Sequence, residues 1–232
     1  MRIVLSIDAE AVGGPRAVDK IARGYSRAAR LHALILERRG APPARLRMRR
    51  DGAGNARLDV DVDINAVGGP VNVARVCRAY LCGLIEHNRI LIRRGAVPGL
   101  YEAFEAGRLI FQPEPWAGKY EEFACAKTCA DRGWLDCDDA VPWRCAEIIE
   151  HDRRLAAPKI YWRMRDERGR LFVDPRLWRH AASIGYHAEA RIACRCHQSL
   201  TCDSSEVEDV SAFIGMGRRG LRDQDRPRRE AS

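Results

Sequence analysis

Apolar residues set two different rhythms in the first hundred positions. Ile3-Val4-Leu5-Ser6-Ile7 is a short apolar run, and in Leu58 to Ile64 the residues Leu58, Val60, Val62 and Ile64 alternate with Asp59, Asp61 and Asp63. A period of two is that of a half-buried strand. After each run comes Gly-Gly-Pro, and Pro at the first turn of a helix loses no hydrogen bond. A helix of about 24 residues is predicted from each Pro, ending at Arg-Arg-Gly, basic residues followed by a helix-stopping Gly. Between the two units, Leu46-Arg47-Met48-Arg49-Arg50 and then Asp51-Gly52-Ala53-Gly54-Asn55 read as a strand and a hairpin turn.

The two units are copies. Residues 2–43 align with 57–98 without a gap at an offset of 55, and 18 of the 42 positions are identical. Ala11 to Pro15 repeats as Ala66 to Pro70, Arg38 to Pro43 as Arg93 to Pro98, and Tyr25 and His32 as Tyr80 and His87. Two strand–helix copies related by a pseudo-twofold would form a small α+β layer. The Gly-Gly-Pro turn could hold an anion at a helix N-terminus, but neither copy carries a phosphate-loop or dinucleotide-binding pattern. The two His sites read as packing or surface positions. The unit over residues 1–98 is expected to serve docking or self-association.

Composition changes the picture little: 46% hydrophobic and 31% charged residues in 232 describe an ordinary folded chain, not a disordered or collagen-like one. No apolar run approaches the ~20 residues of a membrane span, and the opening reads as a strand rather than a signal peptide. Charge is more informative. Residues 1–98 hold 18 Lys and Arg against 9 Asp and Glu, residues 99–216 hold 16 against 20, and residues 217–232 hold 6 against 3. The basic regions, including the Arg-rich tail 217–232, could touch nucleic acid or an acidic neighbour, although a solvated Arg-rich face explains them equally well. Nine cysteines, an odd number without an export signal, suggest a reducing compartment.

The candidate chemistry follows residue 99. In Arg132-Gly133-Trp134-Leu135-Asp136-Cys137-Asp138-Asp139, acids surround a Cys, and then Ala140, Trp143, Ala146, Glu147 and Ile149 recur at helical spacing. Cys137 is thus expected at a helix N-terminus, where the dipole lowers a thiol pKa, and the flanking Asp136, Asp138 and Asp139 argue for exposure. A Cys nucleophile needs a base and an orienting acid. His187 opens the alternating run Tyr186-His187-Ala188-Glu189-Ala190-Arg191-Ile192, and Asp209 follows the run beginning at Glu206. The order Cys137, His187, Asp209 is that of a papain-like triad. His180 is the second candidate base, and His151 falls too far along the Cys helix. An oxyanion donor besides the Cys137 N–H could come from Gln112 or Trp116.

This segment resembles the transglutaminase-like (papain-like cysteine) superfamily, in particular small members encoded by tailed bacteriophages. The resemblance rests on Gly133-Trp134-Leu135-Asp136-Cys137-Asp138-Asp139, which is similar to their Gly-Asp-Cys-Glu-Asp-Leu box, on the strand opened by His187, and on Asp209-Val210-Ser211-Ala212-Phe213-Ile214-Gly215-Met216. The lead-in Gly99-Leu100-Tyr101 through Pro113-Glu114-Pro115-Trp116 is also similar, so the likeness spans about 97–217. Leu135 stands where the family often has Gly, and Val210 where it has Pro. The resemblance implies an α+β chain with a papain-like domain over 99–216, a helix packed on an antiparallel sheet. It further implies a cysteine hydrolase or acyltransferase acting on a peptide or protein, or a virion assembly component that keeps the fold, in the host cytoplasm or in the phage particle.

A metal reading competes. Cys125 and Cys129 would share a helix face, and Cys194 and Cys196 a strand face, with His197 and Cys202 nearby; four of these could bind a structural zinc. Buried free thiols come first in this reading, zinc second and disulfides last. No cofactor is otherwise expected.

Overall fold

A computed structural model describes residues 1–115, 120–195, 198–201 and 205–210. The first strand, β1 (Arg2–Ile7), leads through a one-turn helix α1 (Ala9–Val12) into the long helix α2 (Pro15–Glu37). The hairpin β2 (Leu46–Arg50) and β3 (Ala56–Asp61) follows, and then α3 (Ile64–Val67) and α4 (Pro70–Arg93) repeat the α1–α2 pattern. Asp8 and Asp63, identical in the alignment, cap the two short helices, accepting from the Ala11 and Asn65 N–H groups at 3.0 and 2.8 Å. These one-turn helices were not expected; the sequence suggested a direct strand-to-turn passage.

The pairing of β1 with β3 shows the symmetry. Ile3 lies opposite Val60, Leu5 opposite Leu58, and Arg2 opposite Asp61. Since Leu58 and Val60 are the copies of Ile3 and Leu5, the antiparallel register is that of a pseudo-twofold passing near Val4 and Asp59. The Gly-Gly-Pro motifs serve this interface. Gly13 and Gly68 have φ of +94° and +85°, a region nearly closed to other residues. The space a side chain would need at Gly13 holds the Arg94 guanidinium, and that at Gly68 holds Arg39. Arg94 also donates to the Ala11 carbonyl at 3.2 Å. Each copy's Arg-Arg-Gly end thus closes on the other copy's Gly-Gly-Pro turn. A cation rather than an anion therefore lies at each turn, in the first copy held by the Ala11 carbonyl.

The helices α2 and α4 pack across the same axis, with Gly24 against Gly83 and the Tyr25 ring over Gly83. His32 and His87 are both buried, as a packing role requires. Their environments differ: Tyr25 shares a 3.5 Å hydrogen bond with His87 Nδ1, whereas Tyr80 and His32 make no such bond.

The chain continues through α5 (Leu100–Glu105), β4 (Ile110–Phe111), β5 (Glu121–Glu122), α6 (Ala126–Arg132), β6 (Trp134–Leu135) and α7 (Cys137–Glu147). A π-helical turn over Ile148–Asp152 extends α7. The strands β7 (Ala156–Arg165), β8 (Leu171–Phe172), β9 (Ser183–Ile192) and β10 (Glu206–Glu208) form an antiparallel sheet in the order β10-β9-β7-β8, with a 3₁₀ segment at Pro175–His180. The first sheet runs β2-β3-β1-β5, its last pair parallel; β4 and β6 form a short parallel pair. The fold is mixed α+β with mainly antiparallel sheets. Its core crosses residue 98 without a break: α4 packs on α7, and Leu84, Leu91, Phe123 and Trp143 belong to one buried cluster. Among the described residues, no helix is long and apolar enough to cross a membrane. The tail 217–232 lies outside the described residues.

Candidate active site

Cys137 is the first residue of α7, as its sequence context predicts. Asp136 precedes it in an extended conformation, which leaves the first-turn N–H groups of α7 without helical partners. The acids beside it are not exposed. Asp138 and Asp139 are 1% and 0% exposed, a correction with a clear physical reason. Asp139 accepts the Ala124 N–H at 2.7 Å and pairs with Arg132, whose guanidinium stacks 3.6 Å from the Trp134 ring centre. Asp138 accepts from the Tyr186 hydroxyl at 2.9 Å. Both acids fasten α7 to its surroundings.

The expected low thiol pKa is also reversed. Burial, then the Asp136 charge, push the Cys137 thiol up to about 12, with Asp139 and Glu121 adding to the rise. The Ala188 backbone N–H, which faces the sulfur, acts in the opposite direction. The dipole of one helix is worth about 0.3–1 kcal/mol at its N-terminus. Desolvation and several carboxylates outweigh it.

His187 lies in β9 and Asp209 just beyond β10, and His187 Nε2 is 3.2 Å from Asp209 Oδ1. Two of the three expected triad members therefore meet. The alternation of β9 sends Ala188 and Ala190 toward the core, and His187 and Glu189 toward the other face. Cys137 approaches the peptide that joins His187 to Ala188; among the described residues the structure records no hydrogen bond between Cys137 and His187. Donor atoms of His187, Glu189 and Asp209 lie within 4.8 Å of one another, a set that a divalent cation could use.

The remaining candidates fall elsewhere. His180 ends the 3₁₀ segment and borders a surface groove with Asp166 and Arg170, not the cavity at Cys137. His151 is exposed beyond the far end of α7. The Gln112 backbone N–H is spent on the Leu135 carbonyl at 3.0 Å, so that only its side-chain amide could serve as a donor, and Trp116 lies outside the described residues. Of the zinc set, Cys125, Cys129 and Cys194 are described and do not converge; among the described residues no three cysteine or histidine donors do. Cys125 caps α6 beside Thr128, while Cys129 lies within the helix near Arg132. Cys194 is a buried free thiol, and Cys196, His197 and Cys202 fall outside the described residues. Cys125 instead faces His87, which draws its pKa down to about 7 although burial acts first and against it. No disulfide occurs among the described cysteines.

Apart from Asp136 and Asp138, sequence reasoning gave no role to the residues that shape the cavity beside Cys137. It has a volume of about 420 Å³ and is bordered by Glu114, Glu121, Asp136, Asp138, Trp162 and Tyr186, with Val62, Ile64 and Val73 from the duplicated unit. Trp162 and Tyr186 are cross-strand partners that meet edge-on, 6.0 Å between ring centres. The signal for Tyr186 was its place one residue before His187 in an alternating strand. Nothing marked Glu114 except its position in the lead-in. Comparison of the chain with family models, with curated proteins and with solved structures finds no match.

Proposed function

We propose that the protein is a cysteine-dependent amide hydrolase or acyltransferase with a transglutaminase-like, papain-like unit over residues 99–216. Cys137 is its nucleophile, His187 its base and Asp209 the orienting acid. The carrying observation is the His187–Asp209 contact. It engages Nε2, while Cys137 sits at a helix N-terminus against the His187–Ala188 peptide. In the reaction, the His187 imidazole takes the thiol proton as sulfur attacks the carbonyl carbon, a step that needs the ring turned to the Cys137 side of β9 in the substrate complex, and Asp209 steadies the imidazolium. The N–H groups of the first α7 turn, which have no acceptor within the helix, receive the oxyanion charge. When the carbonyl's bond to its amine or alcohol breaks, the imidazolium returns the proton to the leaving group. Water or an amine then releases the acyl group from sulfur.

The test is acylation by p-nitrophenyl acetate, followed as nitrophenolate release and mapped by peptide mass spectrometry. The expected adduct is on Cys137, absent in Cys137→Ala and slowed about 10²–10⁴-fold in His187→Ala. A second reading, a fold kept for virion assembly, is favoured by the protonated resting thiol. Acetylation of Cys137 no faster than that of exposed Cys82, with or without His187, would select it.

A further inference from the structure

We propose that the cavity beside Cys137 is a recognition pocket for a cationic side chain, lysine or arginine, on the peptide that presents its carbonyl to Cys137. The inference rests on the acyl-transfer reading for its chemistry but not for its binding. Four carboxylates, those of Glu114, Glu121, Asp136 and Asp138, border one cavity. Glu114 is 95% buried, being 5% exposed. Its Oε1 accepts the Glu122 N–H at 2.9 Å, and its Oε2 has no partner among the described residues. Asp136 Oδ1 is likewise buried without one. A buried carboxylate oxygen without a donor is costly, and a bound ammonium or guanidinium supplies that donor.

The walls fit the rest of such a side chain. Val62, Ile64, Val73 and Pro113 offer apolar surface for an alkyl stem, and the Trp162 and Tyr186 rings stand beside the acids. Among the described residues, two cations of the chain itself border the cavity, and both are engaged. The Met1 ammonium donates to the Val62 carbonyl at 2.9 Å and lowers Glu121 only as its smallest influence. Arg2 turns to Asp59 and Asp61, at 3.6 and 3.9 Å. Burial, and then Asp136, push the Asp138 carboxyl well up and keep its proton on; the three other acids, once ionised, still outnumber the two bases among the described lining residues.

The acids also tie recognition to pH. Burial first, and then neighbouring acids, raise Glu114 to about 8 and Glu121 to about 7. Glu114 faces Asp136, Glu121 and Glu122; Glu121 faces Asp136 and the Met1 ammonium. An incoming cation favours their ionised forms, so binding releases protons and tightens as pH rises from 6 to 8.5. It also offsets the charges that hold the Cys137 proton in place, so the correct substrate would ready its own nucleophile.

The experiment is calorimetric titration of the full-length Cys137→Ser protein with Nα-acetyl-arginine amide, Nα-acetyl-lysine amide and the neutral citrulline and norleucine amides. The cationic amides are expected to bind about tenfold or more tightly than either neutral one, with proton release seen as a buffer-dependent heat and with tighter binding at pH 8.5 than at 6. Glu114→Gln should narrow the cationic preference several-fold. Equal affinities for arginine and citrulline amides, or no binding of any amide, would overturn the inference. Neither result bears on acetylation of Cys137 in the unaltered protein. Conversely, cation binding without acetylation would remove the acyl-transfer reading and leave the pocket.

Discussion

Glu114 keeps one oxygen on a backbone N–H, and the other, buried, has no hydrogen-bond partner among the described residues. The folded carboxyl titrates near 8, whereas in the unfolded chain it titrates near its ordinary value of 4.5. The folded state therefore holds the proton more tightly, and its stability falls as pH rises from about 4.5 to 8. Glu114→Gln, which mimics the protonated form, should leave Tm unchanged at pH 4 and raise it at pH 9, as read by thermal melts at both values. Cys137 behaves in a related way. With its thiol near 12, iodoacetamide labelling at pH 7 should be slow and should still be rising about tenfold per pH unit at pH 10, measured by peptide mass spectrometry. An acid-rich stretch reads as exposed because most are; Asp138 and Asp139 escape the rule because Tyr186 and Arg132, distant in sequence or on another element, receive them.

At the scale of elements, the long helices and their glycine turns carry the clearest consequences. Gly68 combines a left-handed φ with a guanidinium where its side chain would be. Gly68→Ala should cost about 1–3 kcal/mol, a fall in Tm of roughly 3–10 °C for a chain of this size. Glu150 joins the turn after α7 to α4, accepting from Arg89 at 2.5 Å and from Arg93 at 2.6 Å. The Arg93 hydrogen bond, with Arg89, holds it near 2, below its ordinary value of 4.5. Its stabilisation is full above about 4.5 and fades as pH falls toward 2. Glu150→Gln should therefore lower Tm at pH 7, by about 1 kcal/mol of stability, and should match the unaltered protein at pH 2. These elements were legible beforehand because the repeat states each helix twice, with its Pro start and Arg-Arg-Gly stop. The caps at Asp8 and Asp63 were equally visible as identities, yet their one-turn helices are too short to show a period. The strand β5, two residues long, owes its existence to the β1 edge and leaves no local trace.

For the whole molecule, the proposed division at residue 98 separates chain segments but not cores. Val62 and Val73 line the same cavity as Cys137, and α4 lies against α7. Unfolding should accordingly be a single transition, with circular dichroism and tryptophan fluorescence tracing one curve in urea; all five Trp residues fall after residue 98. Two separated curves would mean that the units unfold independently. The order Cys137, His187, Asp209 in the sequence anticipated the meeting of the last two. What it could not convey was the face of β9 on which each side chain stands, since a shift of one residue exchanges the faces.

A twofold pair of identical strands would present two equal outer edges, and anything that bound one would bind the other. Here both copies lie in one chain, and the edges have different fates. The edge of β3 is taken by β2, the segment that links the copies, and the edge of β1 is taken by β5. The linker thus does more than connect: it blocks the second of two equivalent berths. One chain can therefore build one Cys137 cavity on its paired strands and no more, a stoichiometry set by which edge the linker happens to cover.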